Sequence, residues 1–521
     1  MTGRSWLRQP AVPDRKAMAE ADKSSEGSAL PDALTCRTER LANFMSKMEL
    51  LRPEVLRVIP AYKALGNCGA ALRFRDDREL AVKSEVAERI EEFWSHSWHG
   101  EAWKKYLTLL VLKNGVPAVL LGTCCALLGL GLFLLGVLPR LTAQNHSLWA
   151  LLFGAVGSCG VFAFWRPKKR VFLDRACISQ ADDEMKAEAI CSLGGLLNKS
   201  DSMLVLWDAT LTERLWCVFE LAAFLKSTKT HPRPLMICPT LAGPCAFVGF
   251  WIVAGVFVPI AVSPLRHAPL TARVPVMVGA VLVAGCGAAH VFRGLCRSVE
   301  VMQKQLLSLK VAETKCTCCT VHHLLGGQRL LCDRQVICEC MTRWFGSVVD
   351  FEQCIRTEVA DVVSEKLDRA AFGDTLGIGM AAPAFWAILD ILSTPVLAGE
   401  GIELVLWVTV SFIMLFLVFP TFLSLARAFA FHFRQRSSCI CGEIVKDLLV
   451  MWCASPVLAY ALGVFVFCGV YCAHLYPPIQ AAVCLGLILP MWTAMRLLRS
   501  RRGDKFFTQS LARYRLASQT S

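Results

Sequence analysis

Two groups of residues in this chain have types and spacings suited to chemistry. The first group is acidic. Asp174 closes the apolar run Val171-Phe172-Leu173, and Asp208 follows the run Met203-Leu204-Val205-Leu206-Trp207. If both runs are strands of a parallel sheet, both acids stand at the carboxyl ends, where ligands bind in such sheets. Glu220 follows Trp216 by four residues, so a helix carries both on one face. Ser95 and His96 end a third short run, Phe93-Trp94-Ser95-His96. They would line the same cleft, and His96 beside Glu220 would form an acid–base pair. The plainer alternatives are a surface Glu220 paired with Arg214 or Lys226, a structural histidine, and core tryptophans at 207 and 216.

The second group offers thiols and imidazoles. It reads Cys316-Thr317-Cys318-Cys319-Thr320-Val321-His322-His323, followed by Cys332, Cys338, Cys340 and Cys354. Cys316 and Cys319 have the spacing that lets two thiolates face one metal. His322, His323, Cys332 or Cys338 would complete a tetrahedron, and structural zinc is the expected ion. A cysteine-rich amphipathic segment without metal is the alternative. No Glu follows either histidine in a His-Glu arrangement, which argues against catalytic zinc. A lone acid, Asp390, falls deep in a hydrophobic stretch, about 10 Å from its far end. It would belong to an ion path with Glu400 and Glu403, or hydrogen-bond to Ser393, Thr394 or a neighbouring helix.

The elements that position the acids alternate between strand and helix. After Asp174 comes a polar loop over 175–182, a helical pattern from Asp183 to Asn198, the strand at 203–207, and a helix containing Arg214-Leu215-Trp216-Cys217-Val218-Phe219-Glu220. Leu235-Met236-Ile237-Cys238 gives a fourth strand. Such alternation implies an α/β unit with a parallel sheet. A strand running into a Ser-containing loop, a strand ending in Asp, and a Trp-Cys-x-x-Glu helix together resemble the TIR domain. The likeness covers two pieces, 88–113 and 168–239. It implies a signalling or self-assembling module. In those TIR proteins that cleave NAD+ the helix glutamate is catalytic, which by resemblance is Glu220. The likeness brings Ser95, His96, Asp174 and Trp216 along as ligand-binding candidates. The whole combination also resembles uncharacterised multi-pass membrane proteins of dinoflagellate algae, a likeness that implies no function.

Composition places this unit at a membrane. Of the 521 residues 55% are hydrophobic, above the range of soluble domains. Eight spans of near-bilayer length are expected, at 116–138, 147–165, 242–263, 274–292, 376–397, 403–424, 449–472 and 479–498. They form hairpins over 116–165, 242–292, 376–424 and 449–498. The short connections inside the hairpins carry only Arg140, Arg266 and Arg273 as basic residues. Lys113, Lys168, Lys169, Arg170, Arg293 and Arg427 are among the many on the other side. That asymmetry puts both termini and every sizeable soluble segment in the cytosol. The net charge of +13 is thus accounted for beside membrane, and no nucleic-acid partner is expected.

The remaining segments follow. Residues 1–31 are polar and charged and are expected to be disordered. Residues 32–92 are read as mainly helical, from Leu41, Phe44, Met45 and Met48 at helical spacing. Residues 293–375 form a cytosolic Cys-rich and helical segment, and 499–521 a basic tail. None of the 25 cysteines lies in the exoplasmic connections, so a disulfide framework is not expected. The fold class is therefore an α-helical polytopic membrane protein with a split TIR-like α/β unit and a Cys-rich, mostly helical cytosolic segment. The expected function is a signalling or assembly module coupled to the bundle. The alternatives are an NAD+ hydrolase using Glu220 and a channel or transporter regulated by the unit. The expected partners are the lipid bilayer and cytosolic TIR-like or identical chains.

Overall fold

Short apolar runs bounded by polar residues form a single six-stranded sheet. In the computed structural model the strands are β1 (Arg57–Pro60), β2 (Glu85–Val86), β3 (Glu92–His96), β4 (Arg170–Phe172), β5 (Met203–Trp207) and β6 (Leu235–Pro239). Their order is β2-β1-β4-β3-β5-β6. The structure describes residues 30–73, 83–139, 147–179, 182–229, 231–262, 270–325, 328–329, 331–361, 374–397, 408–410, 412–471, 475–476, 478–494 and 497. Of the stretch 1–31 expected to be disordered, residues 1–29 lie outside these residues, as do the tail 499–521, Glu400 and Glu403, whereas Leu30 and Pro31 open a helix.

β4, β3, β5 and β6 are parallel. Taken in chain order these four strands lie 2-1-3-4, the doubly wound arrangement whose crossovers change side between the first and third strands. That switch point falls between β3 and β5, where Phe93 lies opposite Met203 and His96 opposite Leu206. Both strands are buried along their whole length, which explains the continuous apolar run of β5.

The sheet is mixed rather than purely parallel. β1 pairs antiparallel with β2 and with β4, Ile59 opposite Val171. Both antiparallel strands lie in the stretch 32–92 that was expected to be mainly helical. Among its described residues the one long helix is α1 (Leu30–Ser46), which begins just before the stretch. The difference is physical: strands of four and two residues are too short to show an alternating pattern. The single helix expected over 183–198 is likewise two, α2 (Asp183–Cys191) and α3 (Leu193–Asn198). They part at Ser192, whose hydroxyl accepts the Leu51 amide at 3.0 Å.

The inserted hairpin is α4 (Ala102–Leu134) and α5 (Trp149–Phe164). α4 is 33 residues long, about 50 Å. Ala118, Gly122, Ala126, Gly129 and Phe133 recur on its buried side, so a narrow stripe packs against α5. Its remaining surface exposes Leu120, Leu121, Leu127 and Leu128. Further helices are α6 (Leu215–Thr228), α7 (Ala242–Val262), α8 (Leu270–Leu307), α9 (Asp333–Phe345), α10 (Asp374–Leu397), α11 (Phe419–His432), α12 (Ile440–Ala454) and α13 (Pro456–Tyr471). Among the described residues, 102–134 and 440–461 are long and apolar enough to cross a membrane. Shorter apolar helices occupy 149–164, 242–255, 416–432 and 478–494. Where eight spans were expected, two helices of membrane length are found among the described residues.

One buried acid closes the base of the insertion. Glu92 is 5% exposed and accepts Trp94 Nε1 at 2.6 Å. Lys113, at the entry to the hairpin, and Lys169, at its exit, both bridge the same carboxylate, Lys169 at 2.9 Å. The two cations outweigh the cost of burial and hold this carboxyl below its ordinary range. A second contact lies at the far side of the sheet. Thr108 Oγ1 donates to the Thr240 carbonyl at 2.8 Å and accepts the Gly243 amide at 3.2 Å. A Cβ on Gly243 would lie 2.2 Å from Thr108 Cα, so only glycine permits this approach of α7 to α4.

Candidate functional site

The carboxyl ends of β3 and β5 flank the switch point, and the chemistry gathers there. Side chains alternate along β3, so Ser95 and His96 leave on opposite faces. Ser95 faces α6, the helix that opens at Leu215. Its hydroxyl donates to Glu220 Oε2 at 2.6 Å. Burial pushes the Glu220 carboxyl up to about 8; the Ser95 hydrogen bond opposes this, and the negative charge of Asp174 adds to it. At neutral pH Glu220 is mostly protonated.

Asp174 follows β4 and opens a single helical turn, Asp174–Cys177. Trp98 Nε1 donates to its Oδ2 at 2.8 Å, and the Arg175 amide to its Oδ1 at 2.7 Å. Burial still raises this carboxyl to about 6. The Trp98 indole meets the His96 ring edge-on at 4.4 Å, and the Arg175 guanidinium lies 5.5 Å from the Trp98 ring centre. His96 is 5% exposed, and its Nε2 meets no hydrogen-bonding partner among the described residues. Burial and the charge of Lys105 hold this imidazole well below its ordinary range, so it is neutral.

The loop 97–100 carries the first strand across the cleft into α4. Lys105 is fully buried, and its ammonium bonds the Ser97 carbonyl. Thr210 Oγ1 donates to Ser97 Oγ at 2.7 Å, and Asp208 Oδ1 accepts the Thr210 amide at 2.8 Å. Asp208 Oδ2 has no partner among the described residues. A Cβ on Gly100 would stand 1.8 Å from that oxygen, so a larger residue here would displace the acid where the loop crosses it.

No family model, curated protein or solved structure matches this chain. What the site does must come from its geometry.

Of the residues expected in one cleft, Ser95, Glu220 and Asp174 come together. His96 packs on Trp98 from the other face of the strand and makes no pair with Glu220. Trp216 Nε1 donates to Asp333 Oδ2 at 3.3 Å, so this side chain is turned toward the Cys-rich segment. Trp207 is a core residue whose indole donates to Gln305 Oε1 at 3.1 Å. Trp98, Lys105, Thr210 and Gly100 were not anticipated as parts of the cleft. The juxtaposed Trp98-His99-Gly100 was the one signal of a tight rim.

The thiol cluster assembles with a different membership from the expected one. The sulfurs of Cys318, Cys319 and Cys332 and a His323 ring nitrogen lie within 4.8 Å of one another and could hold a metal ion. Cys319 and Cys332 were expected ligands, and His323 one of the alternatives; Cys318 was not. Cys316 approaches Cys318 at 3.0 Å in a second group with Asp333. His322 is exposed, and Cys338 is half-buried; neither belongs to a group of close ligand atoms among the described residues. His322 and His323 are adjacent in sequence, and only the backbone turn decides which faces Cys319.

Asp390 sits against a helix end. Its two oxygens accept the Ala150 and Leu151 amides, each at 2.9 Å, where α5 begins. Ser393 Oγ donates to the Asp390 carbonyl at 2.6 Å and accepts the Ser147 amide at 3.1 Å. The acid thus caps a neighbouring helix, which accounts for a carboxylate in an apolar setting.

Proposed function

We propose that this is a multi-pass membrane protein whose cytosolic TIR-like module senses and assembles under the control of its membrane hairpins. Eight spans in four hairpins, with both termini in the cytosol, complete this reading. The parallel order 2-1-3-4 and the Ser95–Glu220 contact at the switch point support the TIR-like assignment. The leucines that α4 exposes favour lipid over water around it.

The observation that carries the coupling is the unbroken path from cleft to bundle. α4 starts at the cleft rim, where Lys105 holds Ser97, and continues into the apolar stripe against α5. α8, 38 residues long, returns to the same rim. There Gln305 Nε2 donates to the Ala209 carbonyl at 2.6 Å. A hairpin that tilts or shifts carries the loops 97–100 and 208–210 with it.

The test is energy transfer between two differently tagged full-length copies in proteoliposomes. Assembly predicts that Arg175→Glu, on the loop after β4, abolishes transfer while Glu220→Gln retains it. Transfer no higher than for an unrelated membrane protein at equal density overturns the assembly reading.

A second reading has its own observation. Glu220 at about 8 and Asp174 at about 6 give two nearby carboxyls held in different protonation states, as acid–base chemistry requires. Together with the TIR-like resemblance, that pair supports a hydrolase of NAD+, with Glu220 next to the bond that breaks. NAD+ consumption by the same proteoliposomes, lost in Glu220→Ala, would establish it. No consumption by folded protein would leave the assembly role alone.

A further inference from the structure

Three of the distances among the donor atoms beside α9 are close to the edge lengths of a zinc tetrahedron. Cys319 Sγ lies 3.5 Å from His323 Nε2, 3.8 Å from Cys332 Sγ and 4.0 Å from Cys318 Sγ. A tetrahedral zinc with bonds of about 2.3 Å to sulfur and about 2.0 Å to nitrogen sets sulfur–sulfur edges of about 3.8 Å and sulfur–nitrogen edges of about 3.5 Å. We propose that Cys318, Cys319, His323 and Cys332 bind a zinc-class divalent cation, which closes the part of the Cys-rich segment that contacts the helix carrying Glu220.

The donor set selects the ion. Three thiolates and one imidazole suit a soft to borderline d10 cation and disfavour magnesium or calcium. Four protein ligands leave no open position, so the site is structural. The local backbone is built to close it. His322 and His323 have φ of 51° and 59°, left-handed values that are unfavourable for a non-glycine residue. They fold the chain so that the His323 amide meets the Cys318 carbonyl at 2.9 Å. The two-stranded hairpin of Leu324–Leu325 with Gln328–Arg329 then returns the chain to Cys332. Cys332 caps the 13-residue α9, and the Asp333 amide donates to Cys318 Sγ at 3.3 Å. That amide orients the Cys318 sulfur as an outer-sphere hydrogen bond does at a metal site.

The site reaches the cleft by two routes. The Lys315 amide donates to the Glu213 carbonyl at 2.6 Å, and the Leu215 amide to the Lys315 carbonyl at 3.3 Å. Trp216 reaches Asp333, next to the Cys332 ligand. Both contacts hold the first turn of α6, one turn before Glu220.

The test is X-ray absorption at the zinc edge on full-length protein, purified in detergent with reduced thiols from zinc-containing medium. The expected result is one zinc per chain with a shell of three sulfurs and one nitrogen. Cys319→Ser and Cys332→Ser lose the metal, whereas Cys316→Ser and Cys338→Ser keep it. Chelation of the wild-type protein then speeds amide exchange over 315–345 and in the first turn of α6. No retained metal, or a shell of oxygen and nitrogen only, overturns the proposal. Loss of metal in Cys316→Ser to the same extent as in Cys319→Ser overturns the ligand set. The wild-type spectrum decides the matter even where a ligand variant fails to fold.

Discussion

Ser95 Oγ lies 2.6 Å from Glu220 Oε2, and this contact ties the first parallel strand to the helix that follows the third. It spans the point where the doubly wound order reverses, and Asp174 stands close enough to raise the glutamate further. A carboxyl buried in this way is neutral when the cleft is intact. The contact therefore ties the protonation of Glu220 to the integrity of the sheet.

Stability should depend on pH through this residue. The Glu220 carboxyl titrates at about 8 in the fold against an ordinary 4.5. A raised carboxyl contributes stability fully present below pH 4.5, lost progressively as pH rises through about 8. Glu220→Gln keeps a neutral partner for Ser95 and should flatten the decline above pH 6. Below that, Asp174, raised to about 6, still contributes a slope of the same sign. Thermal unfolding of the detergent-solubilised chain at stepped pH measures both.

Glu92 is the partner of both flanking lysines of the inserted hairpin, and the pair with Lys113 is nearly dry, with side chains 6% and 13% exposed. Glu92→Gln leaves Lys113 buried without its counter-charge and should cost about 3 kcal/mol. Lys169 is 41% exposed, so Lys169→Ala should cost less than about 1 kcal/mol. Denaturation midpoints of the two variants in one detergent give the comparison.

Gly243→Ala would push a methyl carbon into the α4 backbone, 2.2 Å from Thr108 Cα and 2.4 Å from Thr108 N. Backbone cannot give way as a flexible side chain can. The expected loss is about 3 kcal/mol, with α7 displaced from α4. Gly255→Ala, which meets nothing within 4 Å, is the matched control and should be close to neutral.

Asp390→Ala removes the acceptors of the Ala150 and Leu151 amides and should cost about 1–2 kcal/mol. Asp390→Asn retains one acceptor and should lose about half as much. Equal losses in the two variants would speak for a role of the charge itself rather than of the cap.

The strands nearest the site were legible because apolar runs end abruptly at Asp174 and Asp208. The run at 203–207 is β5 to the residue. The antiparallel strands β1 and β2 escaped notice, being too brief for periodicity and separated from their partners in sequence. Trp216 and Glu220 share a helix face as their spacing requires, yet Trp216 turns toward Asp333, 117 residues downstream, which no local pattern reveals. The thiol cluster was legible as a cluster. Its membership was not, since the left-handed turn at His322 and His323 selects the second histidine. Asp390 was legible as an anomaly, and its explanation required the start of a helix 240 residues earlier.

In the proposed function the cleft and the apolar hairpins move as one. The most direct measurement is hydrogen–deuterium exchange of the full-length protein in bilayers of short-chain and long-chain lipid. Bilayer thickness acts on the apolar helices alone. The account predicts that exchange over 95–100 and 208–220 changes with thickness. It also predicts that two glycines inserted after Asn114, in the middle of α4, weaken the response in 95–100. Exchange at the cleft that stays constant while α4 and α5 respond would contradict the account.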